Sequence, residues 1–239
     1  MSTKKALIVK ANERGVFGNE SFKIQSVFSN GRPGTGRPEN FGSLIVFNDD
    51  IVSPEGFLGL HPHQNLEVIA IVLEGSEFQK DDKNTDLELK QDDVQVISSG
   101  SGIRHSSGNP SKESHARNLQ IWFQPAIKNT VPNTQTKSNK PSNKRNEWDL
   151  QISPDEQKDS LKLLQEAWLS KGRFDAYTVM GYDLYQSGNG VMVYVIDGKI
   201  EVEENILEAQ DTIFLFKPAD LKLTILEDSH IQLIETFVE

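Results

Sequence analysis

The 239-residue chain contains no cysteine, and none of its stretches approaches the roughly 20 consecutive apolar residues that a membrane-spanning helix needs. Without cysteine, the chain can form no disulfide, thiolate metal site or cysteine nucleophile. Residues 1–5 are polar and precede no apolar signal-peptide core. We therefore expect a cytoplasmic protein that does not bind a membrane.

Basic residues are also in deficit, with 25 Lys and Arg against 35 Asp and Glu and a formal net charge of −10. An acidic surface repels phosphate backbones, which argues against direct binding of nucleic acid. The basic stretch at residues 137–146 is rich in Ser, Asn and Pro, a composition typical of a solvated linker.

Helix signals are few, and short apolar runs between Gly, Asp and Asn clusters predict an all-β protein. The runs form two groups, residues 44–47, 67–73, 94–98 and 119–123, then 191–196, 200–202, 212–216, 221–226 and 231–237. Asp197-Gly198 between two apolar runs predicts a hairpin. A single turn or a short helix is expected where Ser153 could act as its cap, while residues 161–169 fit either a helix or a strand.

The two groups of strands resemble each other. Residues 194–216 repeat the order found in residues 71–97, namely a strand, an acidic residue with Gly, a second strand, a polar turn, and Asp before another strand. This repeat predicts two copies of one β-barrel. We expect an N-terminal barrel at 1–130, a linker at 131–146 and a C-terminal barrel at 147–239.

Three of the five histidines lie where a metal site could form. His61 and His63 point to the same side of an extended chain, and His105 follows a Gly-rich turn after the strand at 94–98. Three imidazoles that converge inside a barrel suit a divalent transition metal. The alternative is that each of the three is a surface or hydrogen-bonded core residue. The remaining two histidines, His115 and His230, fit no motif, and we interpret both as surface residues.

Two segments then resemble a known superfamily. "Gly56…His61-Pro62-His63…Glu67…Gly75" resembles the first motif of the cupins, and "Gly102-Ile103-Arg104-His105…Asn109" resembles the second. More narrowly, the chain up to residue 125 is similar to the pirin family through the segments HPHQNLEVIAIVLEG, DDVQVISSGSGIRHSSGNP and LQIWFQP. In the last of these, Trp122 and Phe123 are expected in the core.

The resemblance implies a bicupin, two face-to-face antiparallel β-barrels of jelly-roll type with little helix, and a metal in the N-terminal barrel alone. The implied metal ligands are His61, His63 and His105. The family also has a glutamate two residues after the third histidine, and this chain has Ser107 there.

The change to Ser107 removes a hard, negatively charged ligand, because a serine hydroxyl is neutral and binds metals poorly at neutral pH. We expect a weakened site for Fe(II), with Zn, Ni or Cu as alternatives, in which Ser107 holds a water on the metal. Glu67 is a substitute candidate, since it lies four residues after His63 and would share its face of an extended strand. The alternative for Glu67 is a hydrogen-bond acceptor for a histidine N–H.

Two functions are compatible with these residues. The resemblance implies a quercetin 2,3-dioxygenase-type oxidoreductase acting on a small aromatic or polyphenol ligand, with Glu67 or Ser107 assisting catalysis. The alternative is a non-enzymatic regulatory protein that binds a protein partner in a metal- or ligand-dependent way. In either case we expect a monomer.

Overall fold

The structure, a computed structural model, describes residues 6–32, 34–138 and 144–239. Within these residues the chain forms twenty strands and two three-residue 3-10 helices. The strands of the first half are β1 Ala6–Val9, β2 Gly15–Gly18, β3 Phe22–Ser26, β4 Leu44–Val52, β5 Phe57–His63, β6 Glu67–Glu74, β7 Ser76–Asp81, β8 Asp86–Lys90, β9 Val94–Ser98, β10 Ile103–Gly108, β11 Ala116–Phe123 and β12 Asn133–Lys137.

The second half continues with β13 Asp149–Ser153, β14 Leu161–Lys162, β15 Ala167–Phe174, β16 Val179–Tyr182, β17 Gly190–Val202, β18 Asn205–Glu208, β19 Thr212–Leu215 and β20 Leu221–Thr236. The 3-10 helices are Ala11–Glu13 and Gln157–Asp159. The predicted all-β class with little helix is confirmed. Neither helix is long and apolar enough to cross a membrane, and none other occurs in the described ranges.

The chain divides into two compact units. One lies within Gly15–Pro141 and Leu161–Gln165, and the other within Met1–Arg14, Ser142–Ser160 and Glu166–Glu239. The boundaries expected from the sequence, 1–130, 131–146 and 147–239, stay a prediction. Residues 139–143 of the expected linker lie outside the described residues.

The first unit contains two antiparallel sheets. One has the order β12-β9-β6-β11-β4-β3-β2, and the other has the order β5-β10-β7-β8. The long strands β4, β6 and β11 bury alternating apolar side chains, among them Phe47, Ile69 and Ile121. The other face of β4 and β11 carries polar residues, which is where a site can be built: Asn48 and Asp50 on β4, and Asn118 and Gln120 on β11.

The second unit has one sheet in which β1, β19, β17, β20, β15 and β13 follow one another. Its interior is filled by apolar side chains such as Val193, Ile213 and Leu233. The expectation that His230 is a surface residue is wrong, because it lies on β20 between β15 and β17 and is buried. His115, in contrast, is exposed as expected.

The repeat seen in the sequence has a counterpart in the strand pairing. In the first unit β6 pairs with β9 while β7 pairs with β8. In the second unit, the first part of β17 pairs with β19 and corresponds to β6. The last part of β17 pairs with β18 and corresponds to β7. The predicted hairpin at Asp197-Gly198 is wrong, because β17 continues through it with a register shift against β20 and Gly198 at a φ of 95°.

The predicted cap at Ser153 is also wrong. Ser153 ends β13, and its hydroxyl bonds to Asp155 and Ser160 instead of to helical N–H groups. Left-handed backbone at Glu156 and Lys158 limits the helix to one 3-10 turn. The ambiguous segment, residues 161–169, is not helical: it begins as β14, bends at 164–166 and enters β15 at Ala167. β15 pairs along its length with β20, and this tertiary pairing overrides the local helix signal.

A buried ion pair joins β4 to β11. The Arg117 guanidinium donates to both Asp49 carboxylate oxygens, at 2.9 and 2.8 Å. Its Nη1 also donates to Oε1 of the exposed Glu74 at 3.3 Å. We expect Arg117→Ala to lower the free energy of unfolding by about 3–5 kcal/mol, because Asp49 would stay buried without its partner. Urea unfolding at pH 7 measures this, with Glu74→Ala as the control that should cost less than about 1 kcal/mol. Equal, small losses in both variants would show that the pair does not stabilise the fold.

Candidate metal centre

Two neighbouring strands bring the three predicted histidines together. β5 and β10 are antiparallel, with His105 opposite His61 and Ile103 opposite His63. Because side chains alternate along a strand, His61 and His63 emerge on the same face, toward His105. The ring centroids lie 4.4 Å apart for His61 and His105, and 4.9 Å apart for His63 and either of the other two.

The histidine nitrogens are spaced as ligands of one metal ion would be. One nitrogen from each ring lies within 4.8 Å of the other two, and Nε2 of His63 is 3.0 Å from Nε2 of His105. Two nitrogens that each lie about 2.0–2.1 Å from one metal, at angles of about 90–110°, are about 2.9–3.4 Å apart. The spacing of His63 and His105 therefore fits two ligands of one divalent transition metal, and the His61 nitrogen lies near enough to be a third. In the described part of the chain they are the one such group of three potential ligand side chains.

Hydrogen bonds on the far side of two rings orient them. Nδ1 of His61 bonds to the Gly59 carbonyl at 2.8 Å, and Nδ1 of His105 bonds to Oε1 of Gln79 at 3.2 Å. If each Nδ1 carries the proton, as these acceptors require, the Nε2 lone pairs point to the common centre.

The electrostatics also keep two of the rings neutral. Burial and the neighbouring His61 lower the pKa of His63 to about 4. Burial, His61 and His63 lower the pKa of His105 to about 3. Neutral imidazole is the form that binds a metal, so at neutral pH these side chains need not lose a proton first.

The histidines border a cavity of about 340 Å³, a size that suits a small organic ligand. Apolar side chains such as Phe22, Ile24 and Leu58 line part of it, and Asn48, Asn118 and Gln120 line the polar part. Trp122 packs against the buried cluster of Val68, Ile97 and Ile103, as expected for a core residue. It also borders the cavity, with its ring edge-on to His63 at 4.9 Å. Phe123 is fully buried, as expected.

Ser107 lies in the cavity wall, on the same face of β10 as His105. Ser107 therefore borders the same cavity as the histidines, and a neutral hydroxyl stands at the position where the family has a glutamate.

Glu67 does not lie where the sequence placed it. A turn with Asn65 at a φ of 53° separates His63 on β5 from Glu67 on β6, so the two are not on one extended strand. The Glu67 carboxylate accepts hydrogen bonds from Ser98 Oγ at 2.8 Å and from the Leu164 N–H at 3.1 Å. Glu67 is absent from the described residues that line the cavity. The expected shared face with His63 is wrong.

Two carboxyl groups that we did not predict do line the cavity. Glu77 on β7 is 2% exposed, and burial raises its pKa to about 7, a rise that the facing Ser107 hydroxyl partly offsets. Asp50 on β4 has a pKa raised well above its usual value by burial and by the charges of Asp49 and Glu77. For Asp50 the available signal is an acidic residue within the largely apolar run of β4. For Glu77 there is no such signal, because β7 consists mostly of polar residues.

Two family models match this chain. Residues 15–123 match the family model described as Pirin, and residues 150–236 match that of the quercetinase C-terminal cupin domain. Quercetin 2,3-dioxygenase of Escherichia coli K12 is 32% identical over 158 residues, which cover 66% of this chain and 67% of the relative. A pirin-like protein of Caulobacter vibrioides is 29% identical over 197 residues, covering 82% of this chain and 84% of the relative.

Solved structures share the fold. YhhW from Escherichia coli matches with a TM-score of 0.90 and 24% identity, covering 98% of this chain and 99% of that one. A second YhhW structure, titled a bacterial pirin in complex with nickel(II), matches with a TM-score of 0.89 and 24% identity, covering 98% of this chain and all of the other. The predicted bicupin fold is confirmed.

Proposed function

Because this chain belongs to the pirin family, we propose that it is a metal-dependent oxygenase of flavonol-like polyphenols, with His61, His63 and His105 as the metal ligands. The observation that carries the proposal is that these three histidines meet at the wall of a cavity of ligand size. Relatives named quercetin 2,3-dioxygenase supply the substrate class. The metal is a divalent transition ion, Fe(II) or, as in the YhhW complex, Ni(II), with Zn and Cu as further alternatives.

The polar lining of the cavity suits a polyphenol. Four buried polar atoms there make no hydrogen bond of normal geometry to the described residues: Oδ1 of Asn48, Oδ1 of Asp50, Oε2 of Glu77 and Nε1 of Trp122. Unpaired buried polar atoms are costly, so they favour a ligand or water that bonds to them. Three of the four are oxygens that can accept a bond from a hydroxyl. A flat ring with several hydroxyl groups matches this set, while Phe22, Ile24 and Leu58 can pack against its faces.

The residues that line the cavity would have different roles in the reaction. When bound, a divalent metal would act as a Lewis acid that makes a substrate hydroxyl more acidic. The histidines would hold the metal through Nε2, and Gln79 and the Gly59 carbonyl would fix the orientation of two of them. Ser107 would hold a water beside the histidines, and the apolar wall would orient the flavonol ring.

Oxygen uptake tests the proposal directly. Metal-loaded protein is mixed with quercetin in an oxygen electrode, and loss of the flavonol absorption is followed at the same time. We expect quercetin-dependent uptake that disappears after chelation and returns with metal. Tight metal binding without any uptake would contradict the oxygenase and favour the non-enzymatic regulatory protein.

A substitution at Ser107 tests the metal ligands. We expect Ser107→Glu to raise the affinity for a divalent metal at least about tenfold, since one added favourable contact of about 1.4 kcal/mol gives that factor. Competition against a coloured chelator measures the affinity, and Ser107→Gln, which adds the bulk without the charge, should leave it near the wild-type value. Equal affinities in all three proteins would mean that residue 107 does not face the metal.

A further inference from the structure

Strand β7 places the carboxyl group of Glu77 next to Ser107, the position at which the family has a glutamate. β7 and β10 are antiparallel, with Gln79 opposite Ser107 and Phe78 opposite Gly108. Glu77 is therefore one inward position further along β7 from Gln79, diagonal to Ser107, and it lines the cavity. The carboxyl group that is missing from β10 has a neighbour on β7 that can reach the same space.

Glu77 is also connected to the histidine cluster. Nε2 of Gln79 donates to Oε1 of Glu77 at 3.1 Å, and Oε1 of Gln79 bonds to Nδ1 of His105 at 3.2 Å. Gln79 thereby fixes one oxygen of Glu77. The other oxygen, Oε2, has no hydrogen bond of normal geometry within the described ranges, although the Ser107 hydroxyl faces the carboxyl group. One oxygen is held and the other is available to a ligand.

The surroundings of Glu77 make its carboxylate a stronger base than that of an ordinary glutamate, because burial favours the uptake of a proton. Asp50 on β4 faces it as a second acid, and the charge of Asp49 behind Asp50 is already paired with Arg117. The other titratable groups of the cavity wall are the histidines of β5 and β10, namely His61, His63 and His105. No lysine or arginine is among the described residues of this wall. A buried acid without a cation holds its proton more firmly than usual.

We infer that Glu77 is the proton acceptor for the flavonol hydroxyl, in place of the carboxylate that Ser107 has replaced. The inference rests on the proposed function. In the step, the O–H bond of the hydroxyl breaks, its proton passes to Oε2 of Glu77, and the bonding electron pair stays on the flavonol oxygen. The step contains no oxidation or reduction. With a pKa of about 7, Glu77 can take up a proton and release it again near neutral pH.

The test compares Glu77→Gln with Glu88→Gln. Glu88 is exposed on β8, so the control makes the same chemical change outside the cavity. Nickel-loaded proteins are mixed with quercetin without oxygen, and the absorption of the bound flavonol, which moves to longer wavelength on deprotonation, is recorded from pH 5 to pH 9. The rate constant kcat/KM for quercetin is then measured in air over the same range, together with metal content.

We expect Glu77→Gln to keep its metal, to move the deprotonation of bound quercetin upward by about one pH unit or more, and to lower kcat/KM at pH 7 by about 10²–10⁴-fold. Glu88→Gln should behave as the wild type. The double variant Glu77→Gln, Ser107→Glu returns a carboxylate to the cavity and should recover most of the lost kcat/KM.

The two possible failures are distinguishable. If the wild type oxidises quercetin and Glu77→Gln has the same spectra and pH profile, the role of Glu77 is overturned and the oxygenase stands. If the wild type binds metal but neither binds nor oxidises quercetin, the proposed function fails and the role of Glu77 fails with it.

Discussion

Replacing His63 with alanine is expected to lower the affinity of the chain for a divalent metal by at least about 100-fold. Loss of a residue that only orients a ligand commonly costs 10–100-fold, and His63 would be a ligand itself. Its Nε2 lies 3.0 Å from that of His105, so its removal leaves two nitrogens and an open side. Competition with a chelator of known affinity, at pH 7 with Ni(II), measures the loss.

The matched control is His115→Ala, which removes an exposed histidine of the same unit that does not line the cavity. Its affinity should equal that of the wild type. If both variants bound metal as tightly as the wild type, the centre would not be the one formed by His61, His63 and His105.

Replacing Glu77 with glutamine is expected to change how stability depends on pH. The pKa of this carboxyl group is about 7 in the folded chain against 4.5 for an ordinary glutamate, so between these values the folded state binds more protons than the unfolded state. Stability contributed by Glu77 therefore falls as pH rises from about 4.5 to 7 and stays low above that range. The difference corresponds to about 3 kcal/mol as an upper estimate.

Other groups act in the same pH range, so the comparison must be between variants. The raised pKa of Asp50 also makes the folded chain less stable as pH rises. The lowered pKa values of His63 and His105 have the opposite effect and make it more stable up to about pH 6.5. Denaturant unfolding of the metal-free wild type, Glu77→Gln and Glu88→Gln at pH 5 and pH 8 isolates the Glu77 contribution. We expect Glu77→Gln to gain about 2–3 kcal/mol relative to the wild type between pH 5 and pH 8. A parallel pH dependence in wild type and Glu77→Gln would mean that Glu77 is not buried as a neutral acid.

The parts of the site that were predictable from sequence depend on short spacing along the chain. Alternation within β5 predicts that His61 and His63 share a face, and the glycine-rich turn before β10 predicts the approach of His105. The apolar runs likewise indicated most of the long strands, since a run such as residues 94–98 coincides with β9. These signals are local, and the fold does not alter them.

The parts that were missed depend on which strands become neighbours. Glu77 has no motif of its own, and its relation to Ser107 exists only because β7 pairs with β10 in one register. The prediction that Glu67 shares a face with His63 was wrong because it assumed one continuous strand. The left-handed backbone at Asn65 ends that strand before Glu67. Asp197-Gly198 has the composition of a hairpin but becomes a bulge, because β20 pairs on both sides of it.

Elemental mass spectrometry of the untagged protein, purified without chelator, tests whether the three histidines hold a metal. We expect close to one iron, nickel, copper or zinc ion per chain, lost in His63→Ala and kept in His115→Ala. An empty wild-type chain that also fails to take up Fe(II) or Ni(II) when supplied would contradict a metal centre at these three histidines.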